Sequence, residues 1–270
     1  MKQIFIFGII MVFVCLIAWI LRADKTIAQA PQTQKTEVKK SLDTNRKKPV
    51  LVELFTSEGC SSCPPADRVL SQLEREQTNT DVEIITLALH VDYWNYLGWR
   101  DEFSAAAYSQ RQSGYAEAFK LDSIYTPQMV VDGQTQFVGS NLGTARKAIG
   151  DAAKIVKTNI ELAVSTDNKI NVKIADLPSH DDCYVWLAIA EDNLQTSVKR
   201  GENGGRTLNH VSVVREMKLI GNVNSTDKNF ETEAAIQMQS KWKKDDLKFI
   251  VFIQGKDSKR VFGVNKLDYQ

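Results

Sequence analysis

The chain has 270 residues, enough for about two ordinary domains, and its 34 basic against 33 acidic side chains leave no net field to steer a polyanion. Nucleic acid is therefore not an expected partner. With 43% hydrophobic and 25% charged residues the composition is that of a soluble globular protein, which excludes wholesale disorder and a polytopic membrane fold.

Ile4 to Leu21 is one apolar run, broken only by Gly8 and preceded by Lys2. It predicts a signal anchor or signal peptide over residues 1–22, and so a protein working outside the cytoplasm, periplasmic or secreted. The length of the run, and Pro31 directly after the small-residue site Ala28-Gln29-Ala30, favour an uncleaved anchor in the inner membrane. Cys15 lies inside the run as apolar filler. Residues 23–48 hold hardly a bulky apolar side chain and predict a flexible tether.

Structure is expected from Pro49, where Val50, Leu51, Val52, Leu54 and Phe55 form a short apolar strand. Ala66, Val69, Leu70 and Leu73 then recur at helical spacing, with Asp67 in the first turn where the helix dipole favours an anion. The run from Val82 to Val91 predicts a buried parallel strand. A helix is expected from about Glu102 to Lys120, presenting Phe103, Ala106, Ala107, Tyr115, Ala118 and Phe119. Gln128 to Val131, the turn pair Asp132-Gly133 and Thr135 to Val138 predict a β-hairpin. Ala145, Ala148, Ile149, Ala152 and Val156 mark one more helix. The order βαβαββα over residues 49–157 implies a mixed sheet flanked by helices.

Beyond Thr158 the apolar period changes to two, as in Ile160, Leu162 and Val164, then Ile170, Val172 and Ile174, and later Phe249, Val251 and Ile253. With further strands at Cys183 to Glu191, Val211 to Ile220, Phe230 to Met238 and Arg260 to Leu267, residues 158–270 predict an all-β, sandwich-like second domain. Cys183 alternates onto the side of Val185, Leu187 and Ile189, the pattern of a buried structural thiol. From Asp192 to Asn209 a Gly-rich stretch without periodicity reads as a long loop, whose Glu202, Asn203, Arg206 and His210 fit either docking onto the first domain or chemistry.

The chemistry centres on Cys60-Ser61-Ser62-Cys63. Two cysteines three apart at the start of a helix place both sulfurs at one end of it, near enough to form a disulfide with little backbone movement. The helix N-terminus stabilises thiolate over thiol, so Cys60 should attack and Cys63 resolve. Pro64 and Pro65 suit a first turn, whose amides have no helical acceptor.

Strand, Cys-x-x-Cys and helix, followed downstream by Thr126-Pro127 before a strand, resemble the thioredoxin superfamily. The resemblance implies a cis Pro127 facing the cysteines and a Thr126 whose backbone pairs with a bound polypeptide. More closely, Glu53 to Asp67, with His90 to Trp99, Tyr125 to Gly133, Gly201-Glu202-Asn203, Arg206 to Val211 and Arg215, resembles an uncharacterised secreted bacterial family, domain of unknown function 1223. Unlike thioredoxin, the chain has no Trp before its first cysteine and has Ser-Ser between the pair, so thioredoxin's redox potential is not implied.

Three neighbours have two readings each. Glu53, in the apolar first strand, is either a buried proton acceptor beneath Cys63 or a strand-end carboxylate reaching solvent. His90, which with Asp92 ends the neighbouring strand, either polarises Cys60 or binds a substrate, or else is a structural histidine. Trp94, with Tyr93, Tyr96 and Trp99, forms either an apolar rim for a peptide or a packing plug.

The expected function is thiol–disulfide exchange on protein thiols outside the cytoplasm, with an unknown redox partner, no cofactor and no resident metal. The competing readings are a non-enzymatic thioredoxin-like binding module and a Cu(I) metallochaperone using Cys60, Cys63 and His90, with Met129 as a further candidate ligand.

Overall fold

The computed structural model describes residues 47–76 and 81–269. The expected anchor, Cys15 and nearly all of the tether lie outside the described residues. Among the described residues no helix is long and apolar enough to cross a membrane.

The first half runs β1 (Lys48–Thr56), α1 (Pro64–Arg75), β2 (Val82–His90), α2 (Ala106–Phe119), β3 (Gln128–Val131), β4 (Thr135–Val138) and α3 (Leu142–Ala152). β1 pairs parallel with β2 on one side and antiparallel with β3 on the other. Its central place explains why nearly the whole strand is apolar, since both faces are covered. Val50, Val52 and Leu54 pack on one face with Ala66, Val69, Leu70 and Leu73 of α1 and Ala145, Ala148 and Ile149 of α3. Leu51 and Phe55 pack on the other with Tyr108 and Tyr115 of α2. A fully buried leucine such as Leu70 or Leu73 contributes about 1.5–3 kcal/mol, and truncating either to alanine would cost about 2–5 kcal/mol.

α2 starts later than its expected Glu102, because Asp101 accepts the Phe103 amide and holds the preceding residues in a turn. Its buried stripe is Tyr108, Gln112, Tyr115 and Ala116, while Ala106, Ala107 and Ala118 are exposed. Gln112 occupies a core position because its amide bridges Tyr125 O at 2.7 Å and Gln128 Oε1 at 2.9 Å, and accepts from Tyr93 at 3.0 Å.

The second half comprises β5 (Asn159–Val164), β6 (Lys169–Ala175), β7 (Cys183–Glu191), β8 (Leu194–Ser197), β9 (Thr207–His210), β10 (Val213–Val223), β11 (Phe230–Ala235), β12 (Leu247–Gly255) and β13 (Val261–Asp268). The strands fall nearly where the alternation placed them, but the division at 157/158 does not separate two sheets. One eight-stranded sheet runs β13-β12-β7-β10-β2-β1-β3-β4. The seam is short: Val213 stands opposite Ala88, the Ala88 amide donates to Ser212 O at 2.8 Å, and the Thr86 and Ser212 hydroxyls bond at 2.6 Å. The physical reason is that β2 has a free edge beyond β1, and a free edge is completed by whatever strand reaches it.

The sandwich-like layer does exist within this single body. β11, β6 and β5 form a three-stranded sheet whose Ile160, Ile170, Val172 and Ile174 pack on Val185, Leu187, Ile189, Phe249, Val251 and Ile253 of the large sheet. Cys183 is buried there and unpaired, and burial pushes its thiol up to about 12. The stretch expected as a loop, Asp192 to Asn209, is instead the β8–β9 hairpin with a tip at residues 198–206. Two of its three glycines, Gly201 and Gly205, take positive φ, which obscured the short strands in the sequence.

Candidate functional site

β1 delivers the chain to Thr56, and Ser57 turns it: the Gly59 amide donates to Ser57 Oγ at 3.1 Å and the Cys60 amide to Ser57 O at 3.2 Å. Cys63 caps α1, with Pro64 and Pro65 in the first turn and the Ala66 and Asp67 amides on Cys63 O. Cys60 and Cys63 form a disulfide, their Cα atoms 5.4 Å apart, and neither has exposed surface. Ser61 and Ser62 between them are exposed.

Across from the pair, the Thr126-Pro127 bond is cis and the Thr126 hydroxyl donates to Cys60 Sγ at 3.4 Å. Trp94 donates its indole N–H to Thr126 Oγ1 at 2.8 Å. Ser62 Oγ lies 3.3 Å from Cys60 Sγ. Hydroxyl donors at a sulfur favour its anionic form, as does the helix N-terminus behind it. Thus Cys60, Cys63, Thr126, Pro127 and Trp94 come together.

Glu53 does not join them, and its reading as proton acceptor is corrected. Its position in the strand places it with Leu51 and Phe55, on the α2 face. There Arg111 holds it bidentately, Nε to Oε1 at 2.5 Å and Nη2 to Oε2 at 3.0 Å, and the Tyr115 hydroxyl also donates to it. With both oxygens taken up by Arg111 and Tyr115 on the α2 face, Glu53 is not placed to accept a proton from Cys63.

His90 is also corrected as a substrate-binding residue, since it has no exposed surface. Nδ1 bonds Asp101 Oδ2 at 2.7 Å, and the ring stands edge-on to Phe103 and His210. Burial works against its imidazolium, but the charge and hydrogen bond of Asp101, with Asp67 and Glu58 nearby, outweigh this and raise its pKa. The same pairing holds Asp101 below its ordinary value despite burial. Met129 is likewise wholly buried, in the core with Leu54. Among the described residues no three of His, Cys, Asp and Glu converge where they could hold a metal ion.

A buried ionisable cluster thus sits behind the motif. Glu58 accepts from Trp99 Nε1 at 2.7 Å, and its amide donates to Asp101 Oδ2 at 2.9 Å. His210 Nε2 stands 3.3 Å from Glu58 Oε1, out of line for a hydrogen bond. Asp67, one turn beyond Cys63, accepts from Thr56 Oγ1 at 2.9 Å, and burial raises its pKa against the pull of His210 and His90. Sequence reasoning missed Glu58 and Asp101 as parts of the site and took Asp67 only for a helix-dipole anion. No periodicity marks them, because their partners lie up to 152 residues away, as between Glu58 and His210.

The aromatic group behaves mainly as a plug: Tyr93, Trp94 and Trp99 each spend their polar atom inside the protein, while Tyr96 is 81% exposed. The hairpin tip docks on the motif. Glu202 accepts the Ser61 amide at 2.9 Å, and Asn203 donates to Glu58 O and Cys60 O at 2.8 and 3.0 Å.

The family model described as Protein of unknown function (DUF1223) matches residues 51–254. The crystal structure of protein AGR_C_4864 from Agrobacterium tumefaciens superposes with a TM-score of 0.66 at 24% identity, covering 83% of this chain and 96% of that one, a likeness of fold. A domain of the outer membrane lipoprotein Omp28 from Porphyromonas gingivalis gives a TM-score of 0.25 at 18% identity, covering 43% of this chain and 90% of that one. No curated protein matches the chain.

Proposed function

The chain belongs to the DUF1223 family, and from that premise we propose that it is a thiol–disulfide oxidoreductase of thioredoxin-like build, acting on protein thiols outside the cytoplasm. The location rests on the apolar run from Ile4 to Leu21. The observation that carries the chemistry is the Cys60–Cys63 disulfide at the N-terminus of α1 with the Thr126 hydroxyl directed at Cys60 Sγ. The βαβαββα order and the cis Thr126-Pro127 bond support the thioredoxin-like reading.

In the oxidising direction a partner thiolate attacks Cys60 Sγ. The Cys60–Cys63 bond breaks, a mixed disulfide forms at Cys60, and Cys63 leaves as a thiolate that takes a proton. A second partner thiolate then attacks the partner's sulfur, which closes the partner disulfide and releases Cys60 as thiolate. The reducing direction runs these steps backwards. Cys60 suits the attacking role because its anion is stabilised by the helix terminus and by the Ser62 and Thr126 hydroxyls.

Replacing Cys63 by Ser tests the reading, because it removes the thiol that resolves the intermediate. Non-reducing gels should show mixed disulfides accumulating on Cys63→Ser and absent from Cys60→Ser. Trapping by neither variant would overturn the oxidoreductase and leave a binding module.

A further inference from the structure

The hairpin tip is a compact unit anchored over the cysteine motif. Within it the Val198 amide donates to Arg206 O and the Gly205 amide to Val198 O, each at 2.9 Å, and the Gly204 and Arg206 amides donate to Gly201 O and Asn203 O. Asn203 is fully buried and satisfied, with both donor bonds going to the motif backbone and its Oδ1 accepting from Arg206 at 3.0 Å. Gly201 has φ +76°, and a Cβ there would stand 3.1 Å from the Trp99 Cβ and 3.2 Å from Leu97 O, so the tip packs closely on the chain at Leu97 to Trp99.

Glu202 is the remaining anchor and the informative one. It is an exposed side chain whose carboxylate nevertheless sits on the Ser61 amide, and the Ser61 hydroxyl, then that amide, hold its carboxyl below the usual range. Ser61 immediately follows Cys60 and lies two residues before Cys63, the N-cap of α1. In the oxidised protein the disulfide is neutral, so Glu202 is the anion that this terminus attracts. Reduction by a small dithiol delivers two electrons to the Sγ–Sγ bond and closes the dithiol's own disulfide. Of the two protons released, Cys63 keeps one as thiol and the buffer takes the other, leaving Cys60 as thiolate. Two anions then compete for one helix terminus, with the thiolate covalently in place and Glu202 free to leave.

We propose that residues 198–206 form a redox-released cap, closed over the disulfide by Glu202 and Asn203 and displaced when Cys60 becomes a thiolate. The proposal rests on the oxidoreductase reading only in taking Cys60 as the cysteine that ionises. Release uncovers one donor, the Ser61 amide, and two acceptors, Glu58 O and Cys60 O, beside the sulfur, the set an extended polypeptide partner can fill.

The test is limited trypsin digestion of the full chain in mildly alkaline buffer, oxidised or reduced with the dithiol removed, following cleavage after Arg200 and Arg206. Cleavage in the reduced protein should be on the order of tenfold faster, the rate tracking the open population. Cys60→Ser has neither disulfide nor thiolate at this position and should stay slow. Glu202→Gln keeps an acceptor for Ser61 without the charge and should accelerate less than about twofold on reduction, because the like-charge repulsion is gone. Equal rates for oxidised and reduced wild type would overturn the cap, as would opening of Cys60→Ser or full acceleration in Glu202→Gln. Mixed-disulfide trapping without cap release would sink this inference alone, whereas cap release without trapping would sink the oxidoreductase alone.

Discussion

Trp94 donates its indole N–H to Thr126 Oγ1 at 2.8 Å, which engages a lone pair of that hydroxyl and directs its proton toward Cys60 Sγ at 3.4 Å. The relationship joins the aromatic loop after β2 to the Cys60 sulfur through one side chain.

Thr126→Val keeps the shape and removes that proton. The Cys60 thiol pKa should rise by about one unit, since a hydrogen bond to the charged form is lost, and Thr126→Ser should restore it. Alkylation rate against pH for the reduced protein measures the shift. An unchanged profile would mean that the hydroxyl does not face the thiolate.

Glu53→Gln separates structural from catalytic burial. Losing the charge opposite Arg111 should cost about 3–5 kcal/mol of stability, the usual penalty for stranding one member of a buried ion pair. The alkylation profile of Cys60 should not move. Urea unfolding midpoints and alkylation rates on the same samples check both, and a shifted Cys60 pKa would return Glu53 to the site.

Stability should be greatest on the acid side of neutrality. Asp101 has a depressed pKa, so its contribution is present above its unfolded value of 3.8 and is lost as pH falls below that. Asp67 has a raised pKa, so above 3.8 the folded state resists its ionisation and stability declines. His90 also has a raised pKa, so its contribution is complete below 6.5 and is lost as pH rises through the folded value. Urea midpoints across this range should therefore fall above 6.5 in wild type and stay level there in His90→Gln. An equal fall in both would show that His90 is neutral in the folded protein.

Gly133→Ala probes whether the two halves are one body. Gly133 has φ +67°, and a Cβ there would lie 1.9 Å from Lys259 O in the β12–β13 turn, which also accepts from Gln254 Nε2 at 2.7 Å. The substitution should cost on the order of 2–4 kcal/mol, from backbone strain and a collision that the carbonyl cannot yield to. It should lower one cooperative unfolding transition seen by calorimetry. Two separate transitions, only one of them shifted, would restore the division at 157/158.

The sequence by itself determined what is local. Strand, cysteine pair and helix follow from an apolar run, a Pro-Pro first turn and a period of 3.6, and the β3–β4 hairpin follows from Asp132-Gly133, where the turn demands positive φ. Alternation also located the later strands, because a half-buried strand needs only its own period of two. Tertiary structure alone decided how those strands were shared out. The β2–β10 seam is made of backbone bonds and two hydroxyls, Thr86 and Ser212, and backbone pairing leaves no side-chain signature. It likewise decided the fate of the charged groups. The alternation in β1 already set Glu53 apart from Val52 and Leu54, but α1 packs against those two while α2, carrying Arg111, covers the opposite face. A carboxylate's role depends on what faces it, and the partner of Glu53 stands 58 positions along the chain, beyond the reach of any local pattern.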